Sequence, residues 1–178
     1  MSDLLLANII GSKLIEEAEK TLGITEHGGE NCGAEVEEFQ RTVDGRAQGE
    51  AWCMSWLQTI VERTASRFDA PNPLPKSELC RAVWHGTPLK YRAESPSFGM
   101  GVIWKRHCGL VTRRDSGSPV FHTIEGNTNT RGEREGDGVY RKIRQIKGGT
   151  GSFELLGFVD LPAMIRDGIR PRSVEDLI

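Results

Sequence analysis

The feature that most constrains this chain is a change of hydrophobic period near residue 96. Before it, apolar residues recur at helical spacing; after it, they alternate. KLIEEAEKTLG, preceded by Ser12 and stopped by Gly23, puts Leu14, Ile15, Ala18 and Leu22 on one face and predicts a capped helix. AEVEEFQRTV predicts a second helix with Val36, Phe39 and Val43 inward. A third starts at Cys53, carries Trp56, Leu57, Ile60 and Val61 on its apolar side, and reaches Ser66. APNPLP is a rigid, helix-ending connector, and SELCRAVWHG is a short helix ended by Gly86. Beyond the switch, MGVIWKR, HCGLVTR, PVFHTIEG, GVYRKIRQI and FELLGFVD predict five strands parted by glycine-rich or charged turns. Helices first and strands second, without βαβ alternation, argue for an α+β fold: N-terminal helices packed on a five-stranded antiparallel sheet. The 178 residues fit one domain, with a core over about 12–160 and a tail over 161–178 that reads as one helical turn and a polar extension.

Charge and cysteine usage narrow the function. The net charge of −2 lacks the basic footprint of a nucleic-acid binder. The opening MSDLLLANIIGSKLIEE is broken by Asn8 and Gly11 and has no positive segment before its apolar run. It reads as neither a signal peptide nor a membrane span. The expectation is a monomer made in the cytoplasm without membrane anchoring. Cysteines occur singly at 32, 53, 80 and 108, with no CxxC pair, so the spacing predicts neither a structural metal site nor a disulfide framework. No cofactor is expected. At least one thiol is free to react, and the spacing alone does not say which.

GEAWCMSWLQ singles out Cys53. A thiol at a helix N-terminus faces unpaired backbone N–H groups and the positive end of the macrodipole, which favours thiolate, the nucleophilic form. The plainer reading is packing, since unpaired cysteine is among the most buried residue types. Of the histidines, His27 lies in a glycine-rich loop and His85 ends a helix. HCGLVT and VFHTIE flank RRDSGSP, and a symmetric hairpin centred on Ser116 sets His107 opposite Glu125. A carboxylate beside a histidine orients the ring and stabilises the imidazolium, as in a Cys–His–acid arrangement. Asn127 projects to the same face and is a second orienting candidate. The same register turns His122 away. Gly109 leaves room for a helix to approach the sheet, and alternation points the Cys108 thiol away from Cys53. The tryptophans at 52, 56, 84 and 104 divide between core packing and a substrate groove, and RGEREGDG (131–138) reads as a solvated loop.

GEAWCMSWL, HCGLVT, TIEGNTN and GVYRKIR, in that order after an N-terminal helix, resemble the CHAP amidohydrolase/peptidases. These are cell-wall-cleaving enzymes of the papain-like, NlpC-related group that is common in phage endolysins. The likeness covers roughly residues 12–160 and implies Cys53 as nucleophile, His107 as general base, Glu125 as the residue orienting it and Asn127 as an additional polar member. It implies a peptidoglycan substrate, with amidase and endopeptidase activity both open, and action on the wall after release or delivery. The backbone N–H of Cys53 is the natural first oxyanion donor, and Gln48 is a second by analogy with papain-like enzymes. Some members bind calcium through acidic residues before the nucleophile. Here VDGRAQGEAW holds only Asp44 and Glu50, too few hard oxygen ligands. The alternatives are a cysteine acyltransferase acting on a protein, and a catalytically silent binding module of the same fold.

Overall fold

The computed structural model describes residues 2–131, 136–147 and 149–169. Five helices precede and follow a sheet: α1 (Asp3–Glu19), α2 (Ala34–Asp44), α3 (Cys53–Ser66), α4 (Cys80–Gly86) and α5 (Leu161–Gly168). Six strands form that sheet: β1 (Arg92–Ala93), β2 (Gly101–Trp104), β3 (Cys108–Arg113), β4 (Val120–Thr128), β5 (Gly138–Gln145) and β6 (Leu155–Val159). Its spatial order is β1-β6-β2-β3-β4-β5, with every pair antiparallel. The α+β class and the antiparallel sheet are as expected. The sixth strand is the two-residue β1, too short to show a period. Among the described residues no helix is long and apolar enough to cross a membrane.

α3 is the central helix. Its side chains from Cys53 to Val61 are all buried, because α1 and α2 cover one side and strands β3 and β4 the other. Trp52 stacks on Phe39 at 5.7 Å and donates from Nε1 to Glu26 Oε1 at 2.8 Å. Trp56 donates from Nε1 to Thr21 Oγ1 at 3.0 Å. Both rings are core, as are the Ile10, Leu14, Leu161 and Ile165 side chains beside them. The expected tail over 161–178 thus begins with a helix whose Leu161, Met164 and Ile165 pack into the core; residues 170–178 lie outside the described residues. Trp104 is buried as well, and Trp84 is half-buried beneath the Arg92 guanidinium.

α1 begins earlier than its sequence pattern suggests. Ser2, not Ser12, is the N-cap, accepting from Leu5 N–H at 3.3 Å. Ser12 instead donates to the Asn8 carbonyl inside the helix, and Gly11 lies flat under the Phe98 ring. α2 ends on a left-handed Gly45 (φ 84°). Half of the RGEREGDG stretch, 132–135, lies outside the described residues.

Alternation divides the sheet into two faces. Ile103, Cys108, Leu110 and Ile124 join the helical core, while Val102, Trp104, Val111, Phe121 and Phe158 form a second, smaller cluster. β3 and β4 pair as Leu110↔Ile124 and Val111↔Thr123, with a bulge before Arg113↔His122. The symmetric hairpin about Ser116 is therefore out by two residues. An even slip preserves which face each side chain takes, so His107 and Glu125 remain on a common side. The close helix approach falls at Gly126, where a Cβ would stand 2.7 Å from Trp56 Cγ. Gly109 has another job: a Cβ there would meet Glu125 Cγ at 2.6 Å, so its bareness makes room for that carboxylate.

Candidate active site

Cys53 is the first residue of α3, and no side chain caps that terminus. The orphan N–H groups and the helix dipole consequently act on the thiol. Trp52, just before it, is held through its backbone: Asn127 Oδ1 accepts from Trp52 N–H at 3.1 Å while its amide nitrogen donates to the Gly136 carbonyl at 2.8 Å. Asn127 is buried in the left-handed region (φ 52°). It therefore fixes the nucleophile's turn to β4, and no hydrogen bond links it to His107. This corrects its expected role as an orienting group for the histidine.

His107 closes the β2–β3 hairpin. Its carbonyl accepts from Trp104 N–H at 2.9 Å across the two-residue Lys105–Arg106 turn, and that turn is pinned by Lys105 N–H to Glu154 O (2.8 Å) and Arg106 N–H to Ser152 O (3.1 Å). The imidazole is completely buried, stacked on Trp104 at 5.7 Å and edge-on to Phe153 at 5.2 Å. Nε2 lies 2.9 Å from Glu125 Oε2. Nδ1 is buried without a hydrogen-bond partner, and it is the ring nitrogen that Glu125 leaves open.

Glu125 is itself fully buried and receives three further hydrogen bonds. Arg144 donates from Nε to Oε1 (2.9 Å) and from Nη2 to Oε2 (2.5 Å), and Thr123 Oγ1 donates to Oε1 (2.5 Å). The fork of Arg144 is held over the Phe153 and Trp104 rings at 4.5 and 5.5 Å. Carboxylate, guanidinium, imidazolium and thiolate together sum to zero charge, which is how four ionisable groups tolerate burial.

The electrostatics follow from these contacts. The Cys108 and Cys80 thiols, acting as donors, are the largest influences on Cys53; with His107 they hold its pKa well below the ordinary 9.0 although burial opposes them. Burial, then Cys53 and Cys80, push the Cys108 thiol well up. Cys108 lowers Cys80, but Cys53 and burial outweigh it and leave that thiol raised. For His107 burial works downward, yet Cys53 and Glu125 raise it from 6.5 to about 9. Burial works upward on Glu125, and Arg144 and His107 still hold it at about 2. These influences favour thiolate at Cys53 and imidazolium at His107.

All three Sγ atoms, of Cys53, Cys80 and Cys108, lie within 4.8 Å of one another. Cys108 was expected to face away. Alternation does send it opposite to His107, but the helix face is the face on which Cys53 sits. A cleft of about 510 Å³ opens over Cys53 and Cys80, bordered by Glu50, Glu78, Arg81, Lys105 and Arg106. Gln48 is not among its lining residues; it is exposed on the loop, with its backbone N–H donating to Glu50 Oε2 at 2.8 Å. A second oxyanion donor is thus not supplied by Gln48. His122 lines a separate groove with Thr123 and Arg141.

Three contributors escaped the sequence reading. Arg144 had a signal: GVYRKIRQ alternates, and a buried glutamate on the neighbouring strand demands a cation. Thr123, two residues before Glu125, shares its face and had the same signal. Cys80 had none, because only the tertiary fold brings the start of α4 to the start of α3.

Comparison with models of protein families, with curated proteins and with solved structures finds no match to this chain.

Proposed function

We propose that this chain is a cysteine-dependent amidohydrolase/peptidase of the CHAP, papain-like type that hydrolyses an amide bond in bacterial peptidoglycan. The observation that carries the reading is a fully buried His107–Glu125 pair together with a thiol, Cys53, at an uncapped helix terminus and open to a cleft. A nucleophile-bearing helix packed on an antiparallel sheet that carries the base supports the fold assignment. The cleft rim carries both signs of charge, which suits wall peptides that present carboxylates and an amine together.

Cys53 thiolate attacks the scissile carbonyl carbon, forming a C–S bond and a tetrahedral oxyanion that the Cys53 backbone N–H faces. Collapse breaks the C–N bond as His107 gives its Nδ1 proton to the leaving amine. Water, deprotonated by the now neutral His107, then attacks the thioester, releases the acid and restores thiolate and imidazolium. Glu125, clamped by Arg144, holds the ring and stabilises its charged form throughout.

Digestion of purified peptidoglycan, with products identified by mass spectrometry, tests this. Soluble fragments carrying a new amine and a new carboxylate are expected, and their masses name the bond. No release from walls of several chemotypes overturns the reading.

The pH profile is a second check. In chelator-treated protein, kcat/KM is expected to fall on the alkaline side near pH 9, as His107 loses the proton it must give. The acid limb is expected below the ordinary thiol range, where Cys53 takes up a proton. Activity that instead climbs through pH 9, as an ordinary thiol ionises, contradicts a resting ion pair.

A further inference from the structure

Hydrolysis by Cys53 requires one thiol, yet three converge. Cys53 comes from the start of α3, Cys80 from the start of α4 and Cys108 from the start of β3; all are free and buried. A single buried cysteine is ordinary filler. Three that aim their sulfurs at one point from three elements, all within 4.8 Å, form a donor set. Thiolates bound to one zinc ion at about 2.3 Å stand about 3.8 Å apart in a tetrahedron. The cluster reaches that spacing by drawing in by no more than about 1 Å.

The cleft over Cys53 and Cys80 gives an ion a route in from solvent. Three thiolates around a divalent ion leave one net negative charge, and Arg81, Lys105 and Arg106 border the site.

We infer that Cys53, Cys80 and Cys108 bind one soft divalent cation of the zinc class, with its fourth position open to the cleft. The bound form is inactive, because the sulfur lone pair that attacks the carbonyl is then committed to the metal. Each protonated thiol releases its proton to solvent as its S–metal bond forms, and nothing is oxidised or reduced. The binding stands on the cluster alone; the silencing rests on the hydrolase reading.

The test titrates the reduced, metal-free full chain with Co²⁺ as a spectroscopic stand-in, followed by competition with Zn²⁺. One Co²⁺ per chain is expected, with a thiolate-to-cobalt charge-transfer band and the visible bands of tetrahedral cobalt, all displaced by Zn²⁺. Cys80→Ser and Cys108→Ser are each expected to weaken binding by more than about 100-fold, beyond the loss typical of an outer-shell group. Cys32→Ser is expected to leave it unchanged. Circular dichroism verifies folding, and Cys80, at the cleft wall, gives the variant best placed to fold. Absence of the band, or a band that Cys80→Ser does not weaken, overturns the site. In parallel wall digestions one equivalent of Zn²⁺ is expected to stop release and a chelator to restore it. Digestion without metal binding overturns this inference alone; metal binding without digestion of any wall overturns the hydrolase reading alone.

Discussion

Replacing Cys53 with alanine is expected to remove wall hydrolysis while leaving the fold in place. The side chain is 4% exposed and fills little volume, so its loss costs on the order of 1 kcal/mol of stability. The rate, by contrast, loses its nucleophile, and the corresponding deletion in a serine enzyme costs about 10⁶-fold. A fall of at least about 10⁴-fold is the expected result here. Fragment release and thermal unfolding, measured on the same preparation, separate the two quantities. Activity within tenfold of the parent moves the chemistry away from Cys53, whatever the melting temperature.

Glu125→Gln is expected to lower kcat by about 10²–10⁴-fold. Each oxygen of Glu125 accepts from two donors: Oε1 from Arg144 Nε and Thr123, Oε2 from Arg144 Nη2 and His107. An amide can offer an acceptor on one side only, so its NH₂ faces donors whichever way it turns. With the carboxylate gone, His107 holds its proton less tightly, and the alkaline limb of kcat/KM is expected to move below its place near pH 9. An unchanged limb with a reduced rate assigns Glu125 to packing alone. Glu125→Ala is a harsher change than the sequence suggests. It strands Arg144 and His107 without their counter-charge and is expected to destabilise the chain by roughly 3–5 kcal/mol. The wild-type carboxylate titrates at about 2 rather than 4.5, so its stabilisation is complete above pH 4.5 and disappears as pH falls through 2. That contribution is on the order of 3 kcal/mol.

The parts of this site that were legible in the sequence are those set by local rules. Cys53 does open a helix that runs to Ser66, because a polar loop meets an apolar helical period there. His107 and Glu125 do meet, because parity along two paired strands survives an even error in register. The less legible parts depend on long-range packing. The turn itself is centred beyond Ser116, as Arg113↔His122 shows, and the bulge between Val111 and Arg113 takes back one residue of that offset; a seven-residue turn announces neither. Cys108 was misplaced because the nucleophile was assumed to share the histidine's side of the sheet, whereas the imidazole, at the hairpin's end, meets a thiol from the helix side. Gln48 was placed by analogy with another scaffold, and this loop carries it into solvent. The resemblance to CHAP enzymes and the wall substrate remain the proposal that the digestion decides.

The Cys53 environment joins the starts of two helices, the end of a hairpin, the middle of β4 and, through Arg144, the end of β5. The groups that make it are spread over residues 53–144. Before those segments have closed on one another, the three clustered thiols of a nascent chain ionise as any exposed cysteine does, without the neighbours that lower Cys53. Chemical aggressiveness is therefore the last thing this protein acquires as it folds. A small electrophile offered at neutral pH would count finished molecules and pass over unfinished ones.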